Sequence, residues 1–460
     1  MMTDIVILYE HPQRDLENSL LLKGYLEQIG FKTEIIKYPF RNPTSIRLKY
    51  RNRVRCVVTH SLYDESVLYN LVYQEFGEVP YVINMQCEQI HTNKDEKNPD
   101  NYSWPKGKAK EAYHVCWGER IAEILKAYGV SEDRLIVSGP IQMDFLRSDF
   151  PEYYMDRKSL LSKFQINQNK KIMLFISSFC YANLSPNAIK ELSGKIGWEE
   201  VKQFAELSQA SQKQILEWLY IYAKNHSESI IIYRKHPAES IDVSVFSELL
   251  ELDNFKLISA YSIKEWISNV DLILTWYSTS AAEAFFLNKG SYILRPIDIP
   301  YENDVSIFKD CKMISSYNEF VSAVKNNETT NLNEIILNGY YSVSDKPSFM
   351  RLGDEIAMII NGNGEQFEWN KETLKYLNQR YYQYLVKMPL LFAYNTVIGL
   401  LSKIMTKNMV LSKKLAEKIK NRIRYDEILK NEDADISLIY TDKYPIISLA
   451  VENYIKKWSK

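Results

Sequence analysis

Cysteine is scarce in this sequence, and its few members do not pair. The five cysteines stand at positions 56, 87, 116, 180 and 311, an odd number spread over the chain, and no Cys-X-X-Cys occurs. Disulfide frameworks and zinc sites use cysteines in sets at short spacings. The pattern therefore argues against a disulfide-stabilised secreted protein or a zinc module and favours the reducing cytoplasm.

Long apolar runs and a strong charge of one sign are also missing. Residues 1–9 lack the basic start and the apolar core of a signal peptide. No apolar run reaches the ~18 residues of a membrane span, because the best candidate, 388–401, contains Pro389 and Asn395. Lys plus Arg number 57 and Asp plus Glu 58, so the formal net charge of −1 argues against a nucleic-acid partner.

The composition that is present is typical of a folded protein with more than one domain. Hydrophobic residues make up 46% and charged residues 25%, as in globular rather than disordered chains. A length of 460 residues suggests two or three domains at ~150 residues each. Glycine is low at 15 residues, whereas the 33 tyrosines supply amphipathic rings that suit a surface binding a polar ligand.

Short β-rich runs alternate with helical patterns, which is typical of parallel sheets covered by helices on both faces. The first group of runs lies at 4–9, 31–38, 55–60, 81–86, 112–117 and 135–138. After a charged, loop-like stretch over 145–169, further runs follow at 171–177, 229–234, 255–259, 271–276 and 291–295, with a long amphipathic helix over 209–225. The predicted fold class is α/β, with two Rossmann-like domains facing each other across a cleft and a helical, basic C-terminal extension.

The restart of the pattern defines the predicted domains. They span 1–150 and 151–345, and the change of composition beyond them defines a C-terminal extension at 346–460. Open parallel sheets bind ligands at the carboxyl ends of their strands. We therefore expect the functional residues in the loops that follow these strands.

Two motifs follow strands of the second domain. His236 comes directly after its second strand, within Arg-Lys-His-Pro, where Pro237 stops the strand and leaves the histidine facing the cleft. Ser278, Thr279 and Ser280 follow its fourth strand and open a helix, where hydroxyls and free N–H groups can bind a phosphate. The two motifs together favour a nucleotide site at this edge of the sheet.

Glu283 lies one turn into the same helix, where its carboxylate can accept hydrogen bonds from ribose hydroxyls. The alternative for each motif alone is structural. The hydroxyl residues then only cap the helix, and His236 is a turn residue.

These segments resemble known enzymes. The sequence RKHPAES, followed by NVDLILTWYSTSAAEAFFLNKGSYILRP, resembles the nucleotide-binding half of GT-B glycosyltransferases. It is most similar to bacterial surface-carbohydrate enzymes, namely capsule sugar transferases with CMP-activated donors and teichoic-acid polyol-phosphate transferases with CDP-activated donors. VCWGERIAEILKAYGVSEDRLIVSGPIQMDFL resembles the end of the first domain of such enzymes, with an altered turn, and EHPQRDLENSLLLKGYLEQIGF resembles the opening of surface carbohydrate biosynthesis proteins. The resemblance spans about residues 3–330.

The resemblance implies a role for each residue of the two motifs. His236 and the three hydroxyl residues would hold the donor's phosphate and nucleotide, while Arg234 and Lys235 would add positive charge for the leaving nucleotide. Basic groups and a helix N-terminus can stabilise that departing charge, and no Asp-X-Asp pair stands in a credible loop. We therefore expect transfer that needs neither a metal nor a cofactor, with the nucleotide-activated sugar as substrate.

The first domain is expected to supply the acceptor side. Its strand at 81–86 runs into Cys-Glu-Gln-Ile-His, a dense polar group at a strand end. The acceptor hydroxyl must lose a proton to a carboxylate or an imidazole, so Glu88 and His91 join His236 as candidate catalytic residues. In a retaining double displacement the carboxylate would act as nucleophile instead. The structural alternative is that Glu88 pairs with the loop backbone and that His91 is exposed to solvent.

Two other strand-end loops of the first domain compete for the acceptor role. Glu10 and His11 follow the first strand, and His60 follows the third. A lone histidine at such a position is more often structural than catalytic. Cys87 is expected to be a small buried residue, since nothing in the sequence indicates the low thiol pKa that a nucleophile needs.

The C-terminal extension is strongly basic. Between 387 and 424 there are nine Lys or Arg and one acidic residue, Glu417, with apolar residues interleaved. A basic amphipathic helix of this kind can lie on an anionic membrane, which would place the protein at the inner face of the cell membrane. The alternative is that these helices pack on the two domains or on another subunit.

The sequence thus predicts a glycosyltransferase that moves a sugar from a CMP- or CDP-linked donor to a surface polysaccharide or a lipid-linked glycan. Three alternatives stay open: a polyol-phosphate transferase of teichoic-acid type, a UDP-sugar 2-epimerase-like enzyme, and a non-catalytic capsule-assembly protein. Such epimerases usually carry a Gly-Gly pair in the phosphate loop, where this chain has Ser-Thr-Ser-Ala-Ala.

Overall fold

The computed structural model describes residues 3–184, 189–190, 198–236, 239, 243–330, 332–404, 430 and 433–458. Its strands are Thr3–Tyr9 (β1), Thr33–Lys37 (β2), Val54–Thr59 (β3), Tyr81–Asn84 (β4), Tyr113–Cys116 (β5), Leu135–Val137 (β6), Lys171–Ile176 (β7), Ser229–Arg234 (β8), Phe255–Ile258 (β9), Leu272–Thr275 (β10) and Ser291–Ile293 (β11). They form two parallel sheets, in the orders β2-β1-β3-β4-β5-β6 and β11-β10-β7-β8-β9. The predicted α/β fold class with two Rossmann-like units is confirmed.

Helices cover both faces of the two sheets. Those of the first half are Glu17–Gln28 (α1), Pro43–Tyr50 (α2), Glu65–Leu68 (α3), Gln74–Phe76 (α4), Asn93–Glu96 (α5), Glu119–Ala127 (α6) and Arg157–Lys163 (α7). Those of the second half are Trp198–Asn225 (α8), Ser247–Leu250 (α9), Ile263–Asn269 (α10), Ala281–Phe286 (α11), Tyr317–Asn326 (α12), Glu334–Tyr340 (α13), Ser348–Met358 (α14), Lys371–Ile404 (α15) and Tyr444–Trp458 (α16). Short 3-10 and π turns join several of them.

The strands are nearly continuous apolar runs. The side chains of β7 and β8 are buried on both faces of the sheet, as parallel sheets require when helices cover them. The predicted strands are confirmed, with ends that differ by at most two residues. Two helical predictions need correction: the helix over 209–225 extends back at least to Trp198, and the stretch 145–169 contains α7. Asp156 starts α7 by accepting the Ser159 N–H at 2.9 Å, a cap that a charge-rich stretch conceals.

The two units meet at the carboxyl edges of their sheets. Thr92, after β4, pairs with Val305, after β11, in an antiparallel bridge. The Ser306 N–H donates to the His91 carbonyl at 3.1 Å, and the Asn93 side-chain amide donates to the Tyr301 carbonyl at 2.8 Å. The loop that follows β4 and the segment that follows β11 therefore form a seam between the two units.

The last helices return to the first unit. Helices α14 and α16 pack with α1 in one hydrophobic core. A Cβ at Gly353 of α14 would lie 2.3 Å from Tyr25 of α1, so the small residue permits this close packing. Asp144 accepts the N–H groups of Ser348 and Phe349 at 2.9 Å each and caps α14. The first sheet is therefore covered in part by the C-terminal end of the chain.

Helix α15 leaves the surface of the first unit. Its Leu377 packs against Tyr69 and Tyr73, but Tyr382 is 66% and Val386 75% exposed further along. No helix in the described ranges is long and apolar enough to cross a membrane. The helical character of the extension is confirmed, while residues 405–429, which hold most of its predicted basic stretch, lie outside the described residues.

Candidate active site

His236 sits in a short turn that follows β8 and is organised by Glu239. The His236 N–H donates to Glu239 Oε2 at 3.0 Å, and the Glu239 N–H donates back to the His236 carbonyl at 2.9 Å. Glu239 is only 3% exposed. Its Oε1 accepts from Gln212 Nε2 at 3.2 Å and lies 2.8 Å from the Tyr233 hydroxyl. Glu239 thus ties the turn to α8 and to β8.

Sequence reasoning missed Glu239. A buried acid shows no periodic signal of its own, and the only hint was its position three residues after the histidine of His-Pro. Pro237, which we expected to end the strand, lies outside the described residues.

The imidazole of His236 contacts a thiol from the neighbouring strand. Cys180 follows β7, and its Sγ lies 3.0 Å from His236 Nδ1. Burial lowers the pKa of His236, and the charge of Arg234 lowers it further. Burial and the charge of Glu239 raise the pKa of Cys180 to about 12. Both groups are therefore neutral near pH 7.

Ser278, Thr279 and Ser280 form a half-buried turn between β10 and α11, called here the hydroxyl turn. The Ser278 N–H donates to Thr275 Oγ1 at 3.1 Å, and Ser278 Oγ accepts the Ser280 N–H at 3.2 Å. Because β10 and β8 both pair with β7, the hydroxyl turn, the loop of Cys180 and His236 stand at one sheet edge. The structure thus brings the two predicted donor motifs together.

Glu283 stands in the first turn of α11. Its Oε2 atom is buried and has no hydrogen-bond partner among the described residues. Burial raises the pKa of this carboxyl, although the positive charge of Lys264 opposes the shift. A buried, unsatisfied oxygen is costly, so this carboxyl group suits a hydroxyl-bearing ligand.

Arg234 is bound to the backbone of the loop that follows β9. Its guanidinium is buried and donates to the Ser259 carbonyl at 2.8 Å and to the Tyr261 carbonyl. Burial lowers its pKa to about 10. The expected contact of Arg234 with the nucleotide-activated sugar stays a prediction, and two of its guanidinium nitrogens already bind the loop after β9. Lys235, which is half-buried, is the remaining basic side chain of the motif.

Arg295, two residues beyond β11, is a basic residue that the sequence analysis did not single out. It is 2% exposed and donates to Asp304 Oδ1 at 2.7 Å. The Trp276 and Tyr277 rings lie 5.9 and 5.6 Å from its guanidinium carbon. Its Nε and one Nη are buried without a partner within the described part of the chain. The sequence signal that could have identified Arg295 is its position directly before a proline at a strand end, which is also the position of His236.

In the first unit, Arg14 links strand-end loops that the sequence offered as alternative locations of the acceptor site. Its guanidinium donates to Glu88 Oε1 at 2.6 Å and to Asp15 Oδ1 at 2.5 Å, and it lies 3.7 Å from Glu10 Oε2. Asp15 is buried and also accepts the N–H groups of Glu10 and His11. Although burial raises the pKa of Asp15, the hydrogen bond from Arg14 holds it below its ordinary value.

His60 completes this group, called here the Arg14 cluster (Glu10, Arg14, Asp15, His60 and Glu88). His60 Nε2 lies 3.7 Å from Glu10 Oε2, while its buried Nδ1 lacks a partner in the described ranges. Burial lowers the pKa of His60, although the charge of Glu10 opposes the shift. The Glu88 side chain is 72% exposed. The competing loops therefore form one acid–base cluster, which sequence separation alone could not show.

His91 lies apart from the Arg14 cluster, in the seam between the units. Its ring packs edge-on against Trp104, with ring centroids 4.5 Å apart, and its buried Nε2 has no partner among the described residues. Burial lowers its pKa to about 4, against the opposing charge of Asp95. The structural alternative for His91 was an exposed side chain; the ring is instead packed, and the histidine is neutral near pH 7.

Gln89 holds the same loop in place. Its amide donates to the Val115 carbonyl at 2.7 Å, and its oxygen accepts the Trp117 N–H at 2.8 Å. The polar residues at 87–91 thus have different roles: Gln89 anchors the loop, Glu88 is an exposed acid, and the His91 ring is packed in the seam.

No protein-family model matches the chain, and no curated protein sequence matches it. Among solved structures, it is similar to the UDP-GlcNAc 2-epimerase of Methanocaldococcus jannaschii in complex with UDP-GlcNAc and UDP, at 13% identity and a TM-score of 0.48 over 77% of this chain and 99% of that one. It is similar to the wall teichoic acid polymerase TagF at 13% identity and a TM-score of 0.49 over 78% of this chain and 89% of that one. It is similar to S. aureus MnaA with UDP at 12% identity and a TM-score of 0.46 over 78% of this chain and 97% of that one. Sequence identities and TM-scores this low assign neither residue roles nor a substrate to this chain.

Proposed function

We propose that the protein is a GT-B glycosyltransferase that moves a sugar from a nucleotide-activated donor, CMP- or CDP-linked, to a surface polysaccharide acceptor. The observation that supports this most is the edge where β10, β7 and β8 end. His236 and the hydroxyl turn follow β8 and β10 at this edge, and Glu283, whose Oε2 has no partner among the described residues, stands in the helix that follows the hydroxyl turn. An imidazole N–H and hydroxyls can bind phosphate oxygens, while a carboxylate accepts from the ribose.

The transfer breaks the bond between the anomeric carbon and the donor phosphate oxygen, and negative charge develops on the leaving nucleotide. Fixed donors that meet this charge lower the barrier. Lys235 and Arg295 are the basic groups for this role, because Arg234 is already bound to carbonyls. An anion beside Arg295 would bind the two nitrogen atoms that have no partner among the described residues, and a buried donor left without a partner is costly.

The acceptor oxygen forms the new bond to the anomeric carbon and loses its proton to a base on the first unit. Glu88 is the proposed base, since its exposed carboxylate lies at a strand end and Arg14 fixes one of its oxygens at 2.6 Å. His91 is the reserve candidate, although its buried position in the seam favours it less.

One observation favours a second candidate, a UDP-sugar 2-epimerase-like enzyme. Glu10 and Glu88 lie on either side of Arg14, and two acid–base groups around one site can remove and return a proton at carbon. A polyol-phosphate transferase would use the same donor edge and differ in the group transferred.

We also propose that the basic extension docks on an anionic membrane, where lipid-linked acceptors stand. The exposed tyrosine and valine side chains of α15, followed by the nine basic residues between 387 and 424, support this. Each Lys or Arg near such a surface contributes about 1 kcal/mol of attraction. Deleting everything after Trp369 would also remove α16 from the core, so charge neutralisation is the sharper test.

Nucleotide binding tests the donor site first. CMP, CDP, UDP and GDP are compared by thermal shift and calorimetry, and a nucleotide at 100 times its Kd should add about 2.7 kcal/mol of stability. Glu283→Gln should weaken binding of the preferred nucleotide, whereas Glu334→Gln, at an exposed position, should leave that binding unchanged. Binding of none of the four nucleotides would contradict the proposal and favour the assembly-protein alternative.

Product analysis then separates the enzyme classes. Nucleotide release from CMP- or CDP-sugars that depends on added glycan acceptor supports the transferase. Release of a nucleoside monophosphate from a CDP-polyol, with phosphate retained in the product, indicates polyol-phosphate transfer. Deuterium uptake at C2 of UDP-GlcNAc in D₂O, with no acceptor present, indicates the epimerase.

A further inference from the structure

We propose that Cys180 is a positioning residue for His236: its thiol donates to Nδ1 and so fixes the imidazole in the tautomer that carries its proton on Nε2. The inference rests on the proposed function only in its last step, in which the Nε2–H group meets the donor phosphate. It adds a role for a cysteine that has none in the sequence analysis.

Both partners of this contact are held by their own surroundings. Phe179, beside Cys180, is fully buried, stacks on Trp276 at 4.7 Å and donates its N–H to Ser177 Oγ at 3.3 Å. The main chain of His236 is held by Glu239. The 3.0 Å separation of Sγ and Nδ1 is therefore set by two anchored loops rather than by two freely moving side chains.

The direction of the hydrogen bond follows from the chemistry of the two groups. A neutral imidazole has one donor and one acceptor nitrogen, and a thiol is a weak donor and a weak acceptor. Burial raises the pKa of the Cys180 thiol, which stays protonated. The His236 side chain keeps some exposure to solvent, but partial desolvation and the charge of Arg234 lower its pKa, so the ring is neutral near pH 7. The imidazole nitrogen is the stronger acceptor, so S–H donates to Nδ1 and the ring proton resides on Nε2.

The tautomer matters because the proposed ligand is an anion. A ring that presents N–H attracts a phosphate oxygen, whereas a ring that presents its lone pair repels it. Donation to Nδ1 also favours the neutral ring, since protonation at Nδ1 breaks that bond. Among the described residues, Arg234 acts on the ring through its charge and Glu239 binds the His236 main chain, and both are kept in the variants below.

The experiment compares Cys180→Ala, Cys180→Ser and, as a control, Cys311→Ala, another half-buried cysteine of the same unit. Histidine labelled with ¹³C and ¹⁵N reports the tautomer and the pKa of each of the six histidines in the ligand-free protein, and His236→Gln assigns the signal. Wild type, Cys180→Ser and Cys311→Ala should show an unprotonated Nδ1. Cys180→Ala should show averaged ring nitrogens and a higher pKa.

Binding of CDP provides the second readout. Cys180→Ala should raise the Kd about 3- to 10-fold, and Cys180→Ser should restore it to within about twofold, because a hydroxyl makes the same donation. A protonated Nδ1 in wild type, or an unchanged tautomer and pKa in Cys180→Ala, overturns the inference. If the tautomer follows Cys180 but no variant, including His236→Gln, changes CDP binding, the inference stands and the proposed donor site fails.

Discussion

Replacing Glu239 with glutamine tests whether a buried carboxylate organises the donor edge. The carboxylate accepts the His236 N–H and the Gln212 amide and contacts the Tyr233 hydroxyl. Glutamine has the same size but only one acceptor oxygen, so its NH₂ group must face one of these donors. At least one buried donor then loses its acceptor.

The size of the effect follows from that loss. An unsatisfied buried donor costs about 1–3 kcal/mol, which changes the equilibrium between the ordered and the open turn about 5- to 150-fold. For a unit of roughly 200 residues, 1 kcal/mol lowers Tm by about 2–4 °C. Tyr233→Phe removes a single hydroxyl and should cost less, about 0.5–1.5 kcal/mol.

Chemical denaturation and calorimetry with CDP measure the two consequences. Glu239→Gln should lower the unfolding midpoint and weaken CDP binding, while Glu251→Gln, an exposed glutamate of the same unit, should do neither. Wild-type stability together with wild-type CDP affinity in Glu239→Gln would refute the role assigned to this residue.

Further changes test the remaining proposals. Glu88→Gln should reduce transfer about 100-fold or more and keep CDP binding; full activity across pH would move the base to the reserve candidate His91, with Glu10, His11 and His60 next to test. Asp144→Ala should lower the free energy of unfolding by about 1–3 kcal/mol in urea, because two helix N–H groups lose their acceptor, whereas the exposed Asp253→Ala should not. Transfer should persist in EDTA, and loss that Mg²⁺ or Mn²⁺ restores would contradict metal-independent transfer. Co-sedimentation with anionic vesicles should fall in ~0.5 M salt and in a glutamine variant of Lys413, Lys414, Lys418 and Lys420, but not in one of the exposed Lys213, Lys224, Lys309 and Lys325; equal partitioning of both variants would leave the extension without a membrane role.

The fold was predictable because its strands are local signals. Runs such as the one at Ser229–Arg234 are apolar on both faces and end in polar or turn residues, which is what a covered parallel sheet demands. Helix beginnings were less predictable. The described part of α8 that precedes residue 209 and the whole of α7 lie in charged sequence without a clear apolar period.

The site was predictable as a set of positions and unpredictable as a set of contacts. His236 and the hydroxyl turn follow strand ends, and strand ends can be identified from sequence. Arg234 donates hydrogen bonds to carbonyls that are 25 and 27 residues away in sequence, and Arg14 donates to Glu88, 74 residues away. Partners that distant are fixed by packing, so no local pattern reveals whether a basic side chain faces a ligand or its own backbone.

The return of α14 and α16 to α1 has a consequence for synthesis of the protein. Tyr25 meets Gly353, and α1 shares its core with α16, which begins at Tyr444. A ribosome adds about 5–20 residues per second, so α1 emerges roughly 20–80 s before its last partner helix exists. During that interval the apolar face of α1 is uncovered on the nascent chain. The unit that is translated first is therefore the one completed last.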